Sequence, residues 1–107
     1  MSHMARIARL VVPGYPHHVI QRGVRLIPIF SDDGDRRAYL DIMAEQLDRF
    51  GVEVLAWCLM TNHTHLVVVS KDQVARAIGE AHRRYTRLKN VADGVRGYLF
   101  QGRALVC

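Results

Sequence analysis

The residues richest in potential chemistry are His63 and His65, in the run Thr61-Asn62-His63-Thr64-His65-Leu66-Val67-Val68-Val69. Asn favours a turn, because its side chain bonds to its own backbone and it tolerates positive φ. The β-branched and apolar residues behind it favour a pleated, buried conformation. Side chains alternate faces along a strand, so His63 and His65 share one face with Val67 and Val69, while Thr64, Leu66 and Val68 share the other. Two imidazoles spaced in this way can hold one metal ion, or one can polarise what the other binds. The competing reading is a pair of histidines at a strand entrance with no chemical duty.

A second set of candidates is basic. Ser70-Lys71-Asp72 caps a predicted helix that runs to about Lys89, with Val74, Ile78, Ala81, Tyr85 and Leu88 as its apolar stripe. Its other side carries Arg76, Arg83, Arg84, Arg87 and Lys89. Such a cluster is either a solvated face or an edge for phosphates, which cations bind by releasing counterions without reading sequence. Gly79 within this helix costs up to ~1 kcal/mol relative to Ala, which close packing against the sheet would explain. Tyr85 has a claim as a nucleophile, since Arg83, Arg84 and Arg87 would lower its pKa. Its place in the apolar stripe argues against that role.

These groups need elements to hold them. Residues 17–23 read as a strand, with His18, Ile20 and Arg22 on one face and His17, Val19 and Gln21 on the other. Residues 24–30, with Pro28, read as an extended connection. Ser31-Asp32-Asp33-Gly34-Asp35 offers N-caps for a helix to about Phe50, with Tyr39, Leu40, Met43, Leu47 and Phe50 buried and Gly51 as the stop. Tyr39 reads as core with its hydroxyl in water. Residues 52–60 form a second strand, in which Cys58 reads as a reduced core residue. Residues 63–69 form the third, and Tyr98-Leu99-Phe100-Gln101 the fourth. Strand, helix, strand, strand, helix, strand is the α+β, ferredoxin-like split βαβ order, with an antiparallel sheet and both helices on one face. The histidine face is then the open one.

Composition sets limits. The 107 residues suffice for one domain, and 50% of them are hydrophobic, enough for a core. Net charge is +5 and the pI about 9.8, which favours a polyanionic partner, nucleic acid first. No apolar run approaches the length of a membrane span, and no signal peptide is visible, so a cytoplasmic, nucleoid-associated location is expected. Residues 1–3 before Met4 read as a cloning scar, leaving 4–107 as the domain.

Four segments together resemble a known family: Tyr15-Pro16-His17-His18-Val19-Ile20-Gln21-Arg22-Gly23, Cys58-Leu59-Met60-Thr61-Asn62-His63-Thr64-His65-Leu66, Ala77-Ile78-Gly79-Glu80-Ala81-His82-Arg83-Arg84-Tyr85, and Gln101-Gly102-Arg103. They are similar to the HUH-type single-tyrosine transposases of bacterial insertion sequences, especially the REP-associated tyrosine transposases. The resemblance implies a ferredoxin-like fold, action on single-stranded or hairpin DNA, and a homodimer. It implies Mg2+ or Mn2+ held by His63 and His65 on the scissile phosphate. It also implies strand cleavage and rejoining through a 5′-phosphotyrosine. The net charge of +5 and the clustering of basic residues on the second helix, rather than the resemblance, point to DNA contacts from Arg22, Arg76, Arg83, Arg84 and Arg87.

Two departures stand out. Thr64 occupies a place between the histidines that is normally hydrophobic in the family. The family nucleophile lies on a helix after the fourth strand, usually just before an Asn-Pro pair, and this sequence has no Asn-Pro. The expectation is a metal- and DNA-binding body that ends before its catalytic tyrosine helix and is inactive by itself. The alternative is a non-catalytic module of the same fold that binds single-stranded RNA or DNA through aromatics on the open sheet face.

Overall fold

A computed structural model describes residues 14–70, 72–102 and 104–106. The expectations for residues 1–13, Lys71, Arg103 and Cys107 lie outside the described residues. In chain order the elements are β1 (Pro16–Arg22), a 3-10 turn (Val24–Leu26), α1 (Asp33–Arg49), β2 (Glu53–Leu59), β3 (His63–Val69), α2 (Val74–Asp93) and β4 (Leu105–Val106). The strands form one antiparallel sheet in the order β2-β3-β1-β4. Both crossovers carry a helix, and α1 and α2 pack on the same face, as a split βαβ domain requires.

Alternation decides which side of each strand meets the helices. Along β1, His17, Val19 and Gln21 are buried, and along β3 Thr64, Leu66 and Val68 are. They meet Tyr39, Met43 and Leu47 of α1 and Ala77, Ile78, Ala81 and Tyr85 of α2. Complete burial of an aliphatic or aromatic side chain contributes roughly 1.5–3 kcal/mol, so a one-residue slip of β3 would forfeit several such terms at once.

The helix ends follow local chemistry. Asp32 accepts a hydrogen bond from the Asp35 amide at 2.9 Å, and Asp35 accepts from the Ser31 amide at 2.8 Å. Those carboxylates also suit the positive end of the α1 dipole. Gly94 stops α2 in the left-handed region at φ 67, where a β-carbon would be strained.

Several expectations are corrected. The α2 stripe passes through His82 and Lys89, and Leu88 is 49% exposed. Both 88 and 89 keep helical spacing from Tyr85. Lys89 turns inward because Asp35 and Asp93 receive its ammonium at 2.9 Å each and Ser31 Oγ at 2.6 Å. Burial alone would lower the Lys89 pKa, but the two carboxylates outweigh it and raise it. Lys89 therefore does not belong to the solvated face. Gly79 is exposed, and a β-carbon there would meet nothing within 4 Å, so sheet packing does not explain it.

The 24–30 connection is a 3-10 turn with Arg25 at φ 51, followed by fully buried Ile29 and Phe30. The fourth strand is residues 105–106, not 98–101. Residues 99–101 run beside the end of β1 with a single bridge, Gly23 to Phe100, while Val24 N–H donates to Leu99 O and Gln101 N–H to Arg22 O, each at 2.8 Å. Leu99 and Phe100 plug the core from there. After that segment the chain pairs again at Val19–Val106 and Ile20–Leu105. Leu105 and Val106 thus have a place beside β1 of their own chain. Cys58 is exposed, not core, because β2 is an edge strand and Cys58 faces away from the helices opposite His65.

Candidate metal and nucleic-acid site

The β1–β3 register builds the site. Arg22 lies opposite His63, Ile20 opposite His65 and His18 opposite Val67, all on the face away from the helices. Cross-strand partners and their diagonal neighbours lie within reach of long or aromatic side chains. The result is a cluster of three imidazoles beside one guanidinium. The His63 and His65 rings are 4.9 Å apart at 75°, and the His65 and His18 rings 5.1 Å apart at 25°.

Each ring of the pair has one nitrogen engaged. His63 Nδ1 lies 2.8 Å from Asn62 Oδ1. His65 Nδ1 lies 2.9 Å from His18 Nε2. The Nε2 atoms of His63 and His65 have no hydrogen-bond partner among the described residues. Partial burial, and then the neighbouring His63, His18 and Arg22, hold the His65 pKa below its ordinary value. That favours the neutral imidazole, the form that coordinates metals. Among the described residues no group of three or more His, Cys, Asp or Glu is arranged to hold a metal ion. A cation here would find two unpartnered imidazole nitrogens and no third ligand among the described residues. The sequence pointed to His63 and His65. It missed His18, although the alternation already put His18 on the same side of its own strand.

The other face of β3 explains Thr64. Its buried hydroxyl lies 3.3 Å from Tyr39 Oη, which lies 2.8 Å from His82 Nε2. A hydrophobic residue at 64 would leave this chain of polar groups one member shorter. Tyr39 is core as expected, but its hydroxyl is buried rather than wet, and burial raises its pKa. His82 stacks on Phe100 at 4.0 Å, and burial drives its pKa down to about 3. Nothing in the sequence signals this network, because its members are 18 or more residues apart along the chain.

The arginines divide between two layers. Arg22 is with the imidazoles, whereas Arg76, Arg83, Arg84 and Arg87 are exposed on α2, across the sheet. Glu80 pairs with Arg83 at 2.6 Å and with Arg84 at 3.2 Å, and Arg76 lies 5.0 Å from the centre of the Phe50 ring. Beside Arg76 and Arg83, between α2 and residues 97–100, Gly102 and Ala104, a largely apolar cleft of about 850 Å³ reaches His82.

None of the four tyrosines faces the imidazoles. Tyr85 is buried and donates to the Ile29 carbonyl at 2.8 Å. Burial first, then nearby carboxylates, raise its pKa rather than lower it. Tyr39 is committed to Thr64 and His82. Tyr15 precedes the far end of β1, and Tyr98, 88% exposed, lines the cleft on the helix side. The only Phe, Tyr or Trp in the strands is Trp57, which pairs with Leu66 on the helix-facing side. Among the described strand residues the open face thus carries no Phe, Tyr or Trp on which the RNA-module alternative would stack bases, and its rings are the three imidazoles.

The IS200-like transposase family matches residues 12–94. Among solved structures, one of a REP-associated tyrosine transposase bound to a REP hairpin superimposes with a TM-score of 0.71 at 13% identity. That alignment covers 92% of this chain and 58% of the other, so the chain spans little more than half of that protein. A candidate transposase from Deinococcus radiodurans R1 superimposes with a TM-score of 0.71 at 19% identity, covering 90% of this chain and 79% of that one. At such identities the likeness concerns the fold. No curated protein is similar enough to count as a match.

Proposed function

The chain belongs to the family of IS200-like transposases, and from that premise we propose that it is the DNA- and metal-binding body of a tyrosine transposase of the HUH type. The observation that carries the reading is the sheet face away from the helices, where His63 and His65 keep Nε2 without a partner among the described residues, beside Arg22. Single-stranded or hairpin DNA lies there with its scissile phosphate against the imidazoles. His63 and His65 hold Mg2+ or Mn2+, which when bound neutralises the charge that develops on the phosphate. Arg22 holds the neighbouring backbone as a fixed cation. Arg76, Arg83, Arg84 and Arg87 take the flank of the hairpin, on the outer side of α2. The structure of the REP-associated relative with its hairpin supports the choice of DNA.

Cleavage by this chemistry needs a phenolate in line with the leaving oxygen. Tyr39 and Tyr85 are locked into the helix layer, and neither Tyr15 nor Tyr98 borders the imidazoles. These placements argue against all four tyrosines as the nucleophile, so on this reading strand transfer requires a tyrosine on a further helix.

The test is binding of labelled hairpin, single-stranded and duplex DNA by anisotropy across a salt series, with Mn2+. Hairpin or single-stranded DNA should bind more tightly than duplex, and affinity should fall steeply with salt. Arg22→Glu should weaken binding, and Arg83→Glu with Arg87→Glu should do so about equally for all sequences. Binding that is indifferent to all three substitutions would defeat the reading, as would any denaturation-resistant protein–DNA adduct: one lost in Tyr85→Phe would make Tyr85 the nucleophile, and one that persists would mean another tyrosine reaches the site.

A further inference from the structure

His18 lies outside the His-x-His pair, yet it is His18, not His63, whose ring nitrogen hydrogen-bonds His65. Register puts it opposite Val67, one diagonal step from His65. Its Nε2 is 2.9 Å from His65 Nδ1, with the two rings near parallel. A hydrogen bond between two ring nitrogens needs one to donate and the other to accept, so each tautomer dictates the other.

We infer that His18 is a positioning residue that accepts the His65 Nδ1 proton, and so turns the His65 Nε2 lone pair outward, toward a divalent cation. The inference rests on the reading of His63 and His65 as the cation anchor. The neighbouring ring supplies the precedent within the molecule. With the Asn62 side-chain oxygen as the acceptor, His63 donates from Nδ1, and its neutral ring then keeps the lone pair on Nε2. His65 shows the same arrangement, with Nδ1 toward a partner and Nε2 without one among the described residues. Were His18 the donor, His65 would hold its proton on Nε2 and could offer a cation nothing. A ligating histidine typically donates its other N–H to a fixed acceptor, which sets both tautomer and ring orientation. Two partners, Asn62 and His18, would perform that duty for the two rings. His18 Nε2 is consumed in the contact, which accounts for three clustered imidazoles that form no three-ligand group.

The experiment reads the tautomers directly, by long-range proton–nitrogen correlation spectra of the histidine rings at pH 8, before and during titration with Mn2+ alone. Free Mn2+ is followed in parallel by its paramagnetic resonance signal. In the parent chain His65 should carry its proton on Nδ1. His18→Phe keeps a ring but removes the acceptor. It should move the His65 proton toward Nε2 and weaken Mn2+ binding about 10–100-fold. His18→Gln offers an oxygen acceptor and should restore the tautomer and most of the affinity. His18 is exposed, so both variants should fold like the parent. A parent His65 protonated on Nε2 would overturn the inference, as would His18→Phe that binds Mn2+ like the parent while His65→Ala does not. If the parent shows no Mn2+ effect at all, the cation anchor fails, and the tautomer in His18→Phe still decides what His18 does.

Discussion

His65 and His82 lie on opposite sides of one sheet, and both are held by ring-nitrogen hydrogen bonds. His65 is half-exposed, bonded to another imidazole, and leaves Nε2 open. His82 is buried, bonded to Tyr39 Oη and stacked on Phe100. Both pKa values are depressed. On the helix side desolvation alone does it, and the ring is locked neutral within a satisfied network. On the open side desolvation is joined by neighbouring positive charge, which an incoming phosphate would offset. The same residue type is thus architecture on one face and available chemistry on the other, and the helix layer makes the difference. No buried side-chain polar atom is unsatisfied among the described residues, so the polar groups of the helix side are already spent on one another.

The largest expected effect tests that division through Lys89. Lys89→Ala leaves Asp35 without its ammonium partner and removes the tie between the start of α1 and the end of α2. It should cost about 3 kcal/mol, read as a lowered urea midpoint at unchanged slope. His63→Ala with His65→Ala, on the open face, should stay within about 0.5 kcal/mol of the parent per site. Equal losses from the two sets would erase the distinction between the faces.

The next effect is a pH dependence. The His82 pKa is about 3 in the folded chain against 6.5 as the ordinary value. Between those values the unfolded chain binds a proton that the folded chain refuses. Stability should therefore fall as pH drops below about 6.5, by up to about 1.4 kcal/mol per unit from this group. Its contribution is fully present above that pH. His65 adds a smaller slope of the same sign, because it is far more exposed. Urea midpoints at pH 7.5 and 5.5 should differ in the parent and in His65→Gln, and much less in His82→Gln. A slope that survives His82→Gln would place the titration elsewhere.

The smallest effect concerns the outer side of α2. Gly79→Ala adds a methyl group to an exposed helix interior where nothing lies within 4 Å. It should raise stability by up to about 1 kcal/mol, seen as a higher thermal midpoint. A loss instead would mean that the 850 Å³ cleft, which Gly79 also lines, closes over this position.

Much of the fold was legible. Periodicity gave β3 to the residue, from His63 to Val69, and α1 to within two residues, while α2 runs on to Asp93, past its expected end near Lys89 and into the stretch read as a loop. It also gave the faces of β1 and β3, since alternation is a property of the local backbone. The Asp cluster at 32–35 marked the start of α1 because capping acts within a few residues. The short fourth strand failed for the converse reason. The aromatic run 98–101 has strand-like composition, but the core claims Leu99 and Phe100, and only two residues beyond pair as a strand. Cys58 misled in the same way, since an apolar strand reads as central whether or not a helix covers it.

The sequence by itself determined the order of elements, the basic charge and the shared face of His63 and His65, all of which depend on composition or on spacings of a few residues. Only the tertiary structure decided which distant groups meet. His18 reaches His65 across 47 residues, Tyr39 joins Thr64 to His82, and Lys89 turns inward to Asp35 while Leu88 turns out. Those contacts depend on strand register and on the rotation of α2 against α1. Both are fixed by how the whole core packs, not by any residue and its neighbours in the chain.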